Sequence, residues 1–122
     1  MNDVFFFDSY AFMEILRGNE NYRRYQLCGI ITTKLNIFEV YYALLRQAET
    51  EAANKFITKY YELATDFDED TIKQACIFKL SRKHANISMT DSIGYIISLK
   101  AGVRLLTGDR QFEGLENVEF VK

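Results

Sequence analysis

Residues Val4-Phe5-Phe6-Phe7 are an unbroken run of apolar β-formers, closed on either side by Asp3 and Asp8. A strand with one wet face alternates apolar and polar side chains, so a run without polar positions has to be covered on both faces. That is the situation of a parallel sheet, whose strands are joined by crossover helices packed above and below. The rest of the chain has to supply those helices, and its patterning does. Ser9 is placed to cap a helix from Tyr10 to Arg17, which Gly18-Asn19 stops. A short helix is expected over Asn21–Leu27 and a second strand at Ile30-Ile31. Thr32 or Thr33 then caps a helix from Lys34 to Gln47, apolar at Leu35, Phe38, Tyr41, Tyr42 and Leu45.

The middle of the chain reads as helical throughout. Ala53, Phe56, Ile57, Tyr60 and Ala64 fall on one face. Asp68, Glu69 and Asp70 precede a helix whose inward stripe is expected to be Ile72, Cys76 and Leu80, with Asn86 as its stop. Thr90 or Asp91 opens a last helix with Ile93, Ile96 and Ile97 inward and Gly102 beyond its end. Val103–Leu106 is a third strand, and Val118–Val121 an alternating one suited to a sheet edge. The expected fold class is α/β, a small parallel sheet sandwiched by helices (α/β/α), formed as a single domain over residues 1–122.

Several function classes drop out. The chain has 15 Lys+Arg against 17 Asp+Glu, a formal charge of −2, so it offers nucleic acid no overall attraction. No run of about 20 apolar residues is present to span a membrane. Cys28 and Cys76 make no disulfide framework; reduced thiols in the cytoplasm are expected, with Cys76 in the core. The only histidine, His84, stands beside Arg82 and Lys83 and is expected to be a solvated helix-end residue. No zinc-spaced His/Cys set, Ser-His-Asp set or Gly-rich phosphate loop occurs.

The chemistry lies in where four acids fall. In parallel α/β folds the ligand crevice opens beyond the carboxyl ends of the strands. Asp8 follows the first strand directly, and Asp109 follows the third after the turn Thr107-Gly108. Asp91 stands at a helix N-terminus, and Glu39 in the second turn of the helix after Ile30-Ile31, on a narrow polar stripe with Asn36 and Arg46 that should face a small cleft. If the sheet is parallel, all four carboxylates reach one end of the molecule. So many adjacent carboxylates repel one another, and a divalent cation relieves this; all-oxygen ligands select Mg²⁺ or Mn²⁺.

These segments carry a resemblance. Val4-Phe5-Phe6-Phe7-Asp8-Ser9-Tyr10-Ala11 is similar to the opening strand and Asp-Ser/Thr of PIN-domain proteins, and Asn36-Ile37-Phe38-Glu39-Val40 to their Glu-bearing helix. Met89-Thr90-Asp91-Ser92-Ile93 resembles their third acid, and Leu105-Leu106-Thr107-Gly108-Asp109-Arg110-Gln111-Phe112 their strand-Thr-x-Asp-x-x-Phe close. The order and spacing span essentially the whole chain, whose length suits the VapC-like toxins. The resemblance implies a metal-dependent endoribonuclease, with Asp8, Asp91 and Asp109 as ligands of Mg²⁺ or Mn²⁺. Glu39 would complete the cluster and orient water, while Ser9 and Thr107 would support it. It further implies an RNA substrate, a cognate antitoxin lying over the acids, a homodimer and no membrane. Many relatives carry another acid where this chain has Gln111, which weakens the expectation of a second metal ion.

Basic residues for phosphate contact would come from Arg17, Arg23, Arg24, Arg46 and Arg110, with Arg46 and Arg110 nearest the acids. Tyr10, Tyr22 and Tyr25 offer rings for stacking bases, and the Phe12, Met13, Leu16 edge a surface for an antitoxin or a second copy. Two other readings stay open. One is a PIN-like RNA- or protein-binding module without activity, which loss of an acid would favour. The other is a receiver-type phosphoacceptor, which calls for paired acids after the first strand and a late lysine; Asp8 stands alone and the late strand leads to Asp109.

Overall fold

The computed structural model describes residues 3–122. Four strands, β1 (Val4–Phe7), β2 (Gly29–Ile31), β3 (Arg104–Thr107) and β4 (Val118–Phe120), form one sheet in the order β2-β1-β3-β4. All three pairings are parallel, with Phe6 opposite Ile31 on one side and Leu105 on the other. The apolar run is thus a central strand, as its composition requires, and the alternating Val118–Phe120 segment lies at the edge beside β3. Five α-helices are described: α1 (Ser9–Leu16), α2 (Lys34–Arg46), α3 (Thr50–Tyr60), α4 (Glu69–Ser81) and α5 (Met89–Ala101). Glu20–Leu27 is a 3₁₀ segment and not an α-helix.

Side chains of β1 alternate between two cores. Phe5 and Phe7 pack with Leu106 against α1, α2, α3 and the 3₁₀ segment, where Phe12, Phe56 and Tyr60 form an aromatic cluster. Phe6 and Leu105 pack on the other face with Ile93, Ile96 and Ile97 of α5. There α5 rides so low on β1 that a Cβ at Gly94 would come within 2.7 Å of the Phe6 ring. Each strand feeding two cores explains why β1 and β3 have no polar interior positions.

Several expectations of facing and capping are corrected. Asp8, not Ser9, is the N-cap of α1, and Ser88, not Thr90 or Asp91, caps α5. Helix α4 ends at Ser81, before Asn86. Its Ile72, Cys76 and Leu80 stripe faces outward, so Cys76 is exposed; the buried residues are the smaller Thr71 and Ala75. On α2 the buried side carries Asn36, Ile37, Val40 and Leu44, while Phe38, Tyr42 and Leu45 are exposed. Phe12 is buried, so it belongs to no edge surface, and Tyr22 and Tyr25 are buried and have no free face for bases.

Candidate active site

The strand order reverses direction between β1 and β3, and beyond their carboxyl ends lies a crevice of the kind that holds ligands in parallel sheets. Asp8, Glu39, Asp91 and Asp109 all line this one pocket, of about 360 Å³, together with Ser9, Tyr10, Met13, Glu14, Arg17, Val40 and Ala43. The four acids separated along the chain are therefore brought together.

The three aspartates are each tied to their own local turn, and the glutamate to a neighbouring helix. Asp8 Oδ1 accepts from the Ala11 amide at 2.9 Å, capping α1. Asp109 Oδ1 accepts from the Gln111 amide at 3.0 Å, capping the 3₁₀ turn Arg110–Phe112. Asp91 closes a capping box: its amide donates to Ser88 Oγ at 3.0 Å and its Oδ2 accepts from the Ser88 amide at 3.4 Å. Glu39 Oε1 accepts from the Ser9 hydroxyl at 2.6 Å.

Two polar links join the acids across elements. Thr107, fully buried at the end of β3, hydrogen-bonds the Asp8 carboxylate and accepts from the Asp109 amide at 3.0 Å. One hydroxyl thus connects the first and last acids. On the other side, Thr33 Oγ1 donates to Asn36 Oδ1 at 2.7 Å, and Asn36 Nδ2 donates to Ser9 Oγ at 3.2 Å. Since Ser9 already accepts from Asn36, its single proton is directed to Glu39. Sequence reasoning put Asn36 on the polar stripe beside Glu39 and Thr33 among the cap candidates, but gave neither a part in holding the acids. The signal was available: Asn36 is one helical turn before Glu39, and Thr33 caps the same helix.

Burial dominates the electrostatics. Asp8 is 3% exposed, and desolvation pushes its carboxyl up to about 7. The hydrogen bonds from Thr107 and Ala11 pull the other way, and the charges of Asp91 and Asp109 add to the rise. Asp91 is raised too, chiefly by desolvation and further by Asp109 and Glu39, against the hydrogen bonds of Ser88. The pocket concentrates negative charge, and near neutrality Asp8 is divided between its protonated and ionised forms.

Sequence expectations meet mixed outcomes at the rim. Glu39 lines the pocket, as its polar stripe implied, and stands at its exposed side. Arg46 lies exposed in the last turn of α2, its guanidinium 5.7 Å from the Tyr42 ring, and Arg110 is exposed in the 3₁₀ turn; neither lines the pocket. Gln111 does not line it either. Its Oε1 accepts from the Asn86 amide at 2.8 Å and so ties down the connection between α4 and α5. Glu14 and Arg17 do line the pocket, and their i, i+4, i+7 spacing from Tyr10 was the signal for them.

The donors are oxygens only, which fits a hard dication. Among the described residues, however, no three acid, histidine or cysteine side chains stand close enough to grip an ion together. That spacing fits Mg²⁺ better than a caged ion, because Mg²⁺ keeps several waters and binds through one or two carboxylates plus substrate phosphate.

No family model matches the sequence, and no curated relative matches it. Solved structures do match in shape. A toxin–antitoxin complex from Klebsiella pneumoniae superposes with a TM-score of 0.73 at 11% identity, over 94% of this chain and 95% of that one. A VapC toxin from Mycobacterium tuberculosis, described as cleaving the sarcin–ricin loop, gives 0.73 at 17% identity, over 96% and 99%. DNA-bound VapBC from Salmonella typhimurium gives 0.70 at 16%, over 98% and 97%. With its parallel four-stranded sheet between helices, the chain has the PIN-like α/β/α fold of its VapC neighbours.

Proposed function

We propose that this single-domain chain is a metal-dependent endoribonuclease acting through Mg²⁺ or Mn²⁺, the toxin of a VapBC-type pair. The observation that carries the reading is the meeting of Asp8, Glu39, Asp91 and Asp109 in one pocket, with Asp8 raised to about 7 by burial and by its acidic neighbours. A buried carboxylate raised this far among other acids marks a candidate functional group. The fold shared with a sarcin–ricin loop cleaving toxin and with toxin–antitoxin complexes supports the same reading.

A bound dication would supply water of lowered pKa and neutralise charge growing on the phosphoryl oxygens. Asp8, Asp91 and Asp109 are the residues to hold it, directly or through water. The chain's own groups do the positioning. Thr107 holds Asp8 and Asp109 at a common spacing through one hydroxyl. The Thr33–Asn36–Ser9 relay keeps a proton on the Glu39 side of Ser9 and orients the Glu39 carboxylate toward accepting a proton from attacking water. Arg46 and Arg110 would contact phosphates farther along the strand.

The partners follow from the surface. A cognate antitoxin would cover the acids, where an arginine from it would compete with the metal by charge. The exposed Phe38, Tyr42 and Leu45 of α2 would offer a surface for a second copy, in place of the α1 edge expected from sequence, whose Phe12 is buried. Among the described residues no helix is long and apolar enough to cross a membrane; a cytoplasmic site of action is proposed as part of the toxin reading.

A second reading is a PIN-like binding module without activity, favoured by the lack of three carboxylates in gripping range. A cleavage assay separates the two. The purified chain is expected to cut RNA with Mn²⁺ or Mg²⁺, to stop with EDTA, and to lose cutting in Asp8→Asn. RNA binding without any metal-dependent cleavage would establish the binding module instead.

A further inference from the structure

Five carboxylates line the pocket once Glu14 is counted, against one cation, Arg17. A polyanion approaching a chain of net charge −2 would meet repulsion at this place. Arg17 is built to answer that. Its Nη1 donates to Glu14 Oε2 at 3.0 Å, while Glu14 Oε1 accepts from Asn19 Nδ2 at 2.8 Å. Glu14 is half-buried and has both oxygens committed, so it is not a fifth metal ligand; it is a bracket. Arg17 itself is 58% exposed. A guanidinium has five N–H donors in a fixed fork, and the Glu14 bond engages one of them. An exposed i, i+3 pair contributes little to stability, so the bracket is poorly explained as a fold-stabilising device.

We propose that Arg17, presented by Glu14 at the end of α1, holds a phosphate of a single-stranded RNA next to the one placed at the acids. The α1 wall from Tyr10 through Met13 to Arg17 then sets the direction in which the strand leaves the site. This deepens the nuclease reading and rests on it for the identity of the strand, while the contact itself is a binding property. Arg17 is a binding residue, and Glu14 the residue that positions it.

The test measures binding, so that it survives failure of the nuclease reading. A fluorescein-labelled single-stranded RNA is titrated at several salt concentrations into Asp8→Asn, and into the same protein carrying Arg17→Gln, Arg17→Lys, Glu14→Gln or Lys55→Gln. Lys55 makes a comparable surface pair with Glu51, on α3 and away from the pocket. Arg17→Gln is expected to weaken binding about tenfold or more, the range of a lost charge-assisted hydrogen bond. Its log Kd should also lose about 0.7 of its slope against log salt, one single-strand phosphate contact. Arg17→Lys should restore the slope and part of the affinity. Glu14→Gln should weaken binding less than Arg17→Gln, and Lys55→Gln not at all. Equal affinity and slope for Arg17→Gln and its parent would overturn the proposal. So would a loss matched by Lys55→Gln. Wild-type cleavage, run in parallel with Mn²⁺, reports separately on whether the chain is a nuclease.

Discussion

Asp8→Asn should make the protein more stable, by an amount that depends on pH in a stated way. Folding raises the Asp8 carboxyl from 3.8 to about 7, so the folded chain holds that proton more tightly than the unfolded chain. The stability this protonated form confers is complete below about pH 4 and is lost as pH rises through 7. The difference of 7 − 3.8 = 3.2 corresponds to roughly 4 kcal/mol at 1.36 kcal/mol per unit. Against a typical domain stability of about 5–15 kcal/mol, that is a large share. Asparagine carries no charge, caps a helix as well as aspartate, and its Oδ1 can take the bonds from Ala11 and Thr107. Urea melts of both proteins from pH 4 to pH 8.5 provide the assay. The stability gap should be near zero at pH 4, widen by up to about 1.4 kcal/mol per pH unit, and level off above 7. At pH 8 the variant should melt on the order of 10 °C higher. Millimolar Mn²⁺ should narrow the gap, because only the wild type gains stability from the ion. A gap that ignores pH, or a variant less stable at pH 8, would refute the clustered and buried carboxylates.

Other substitutions read the remaining contacts. Asn36→Asp offers Ser9 an acceptor in place of a donor, so the Ser9 proton should leave Glu39; we expect a loss of about 1–3 kcal/mol in thermal melts and slower RNA cleavage with KM little changed. Gly108→Ala puts a Cβ into the Tyr10 ring and the Val121 carbonyl, and should cost about 2–3 kcal/mol while displacing Asp109; a normal melting point would show that the turn is looser than described. Phe38→Ser together with Tyr42→Ser should convert a dimer to a monomer in sedimentation without loss of helix by circular dichroism.

The layout of the site was legible in the sequence because two strands carry no polar residue in their interior. Phe5–Phe7 and Leu105-Leu106 can only be central, which places the acids just after them at one end of the sheet. Helix facing was not legible in the same way. Helix α2 has two apolar stripes, and periodicity cannot say which meets the core and which awaits a partner; the more aromatic one, with Phe38 72% exposed, is outside. In α4 the conspicuous Ile72, Cys76, Leu80 stripe points outward because Thr71 and Ala75, being small, let the helix sit close to α5. Caps were misplaced by one or two residues where neighbouring Asp, Ser and Thr compete for the role, although the Ser88-x-x-Asp91 box was readable. Ser9, freed from capping by Asp8, turns its hydroxyl across to Glu39, a contact between residues 30 apart that no local pattern encodes. Arg46 and Arg110 were favoured for closeness in sequence, whereas Arg17 reaches the pocket because α1 forms its wall.

The central claim is that carboxylates far apart in the chain form one receptor for a hard dication. Calorimetric titration of Mn²⁺ into the wild type, Asp8→Asn, Asp91→Asn and Asp109→Asn addresses it directly. Binding by the wild type that is weakened at least tenfold by each of the three substitutions, with the folds intact, is the expected result. Mn²⁺ binding unchanged in all three variants, or absent from the wild type between pH 7 and 8.5, would contradict it.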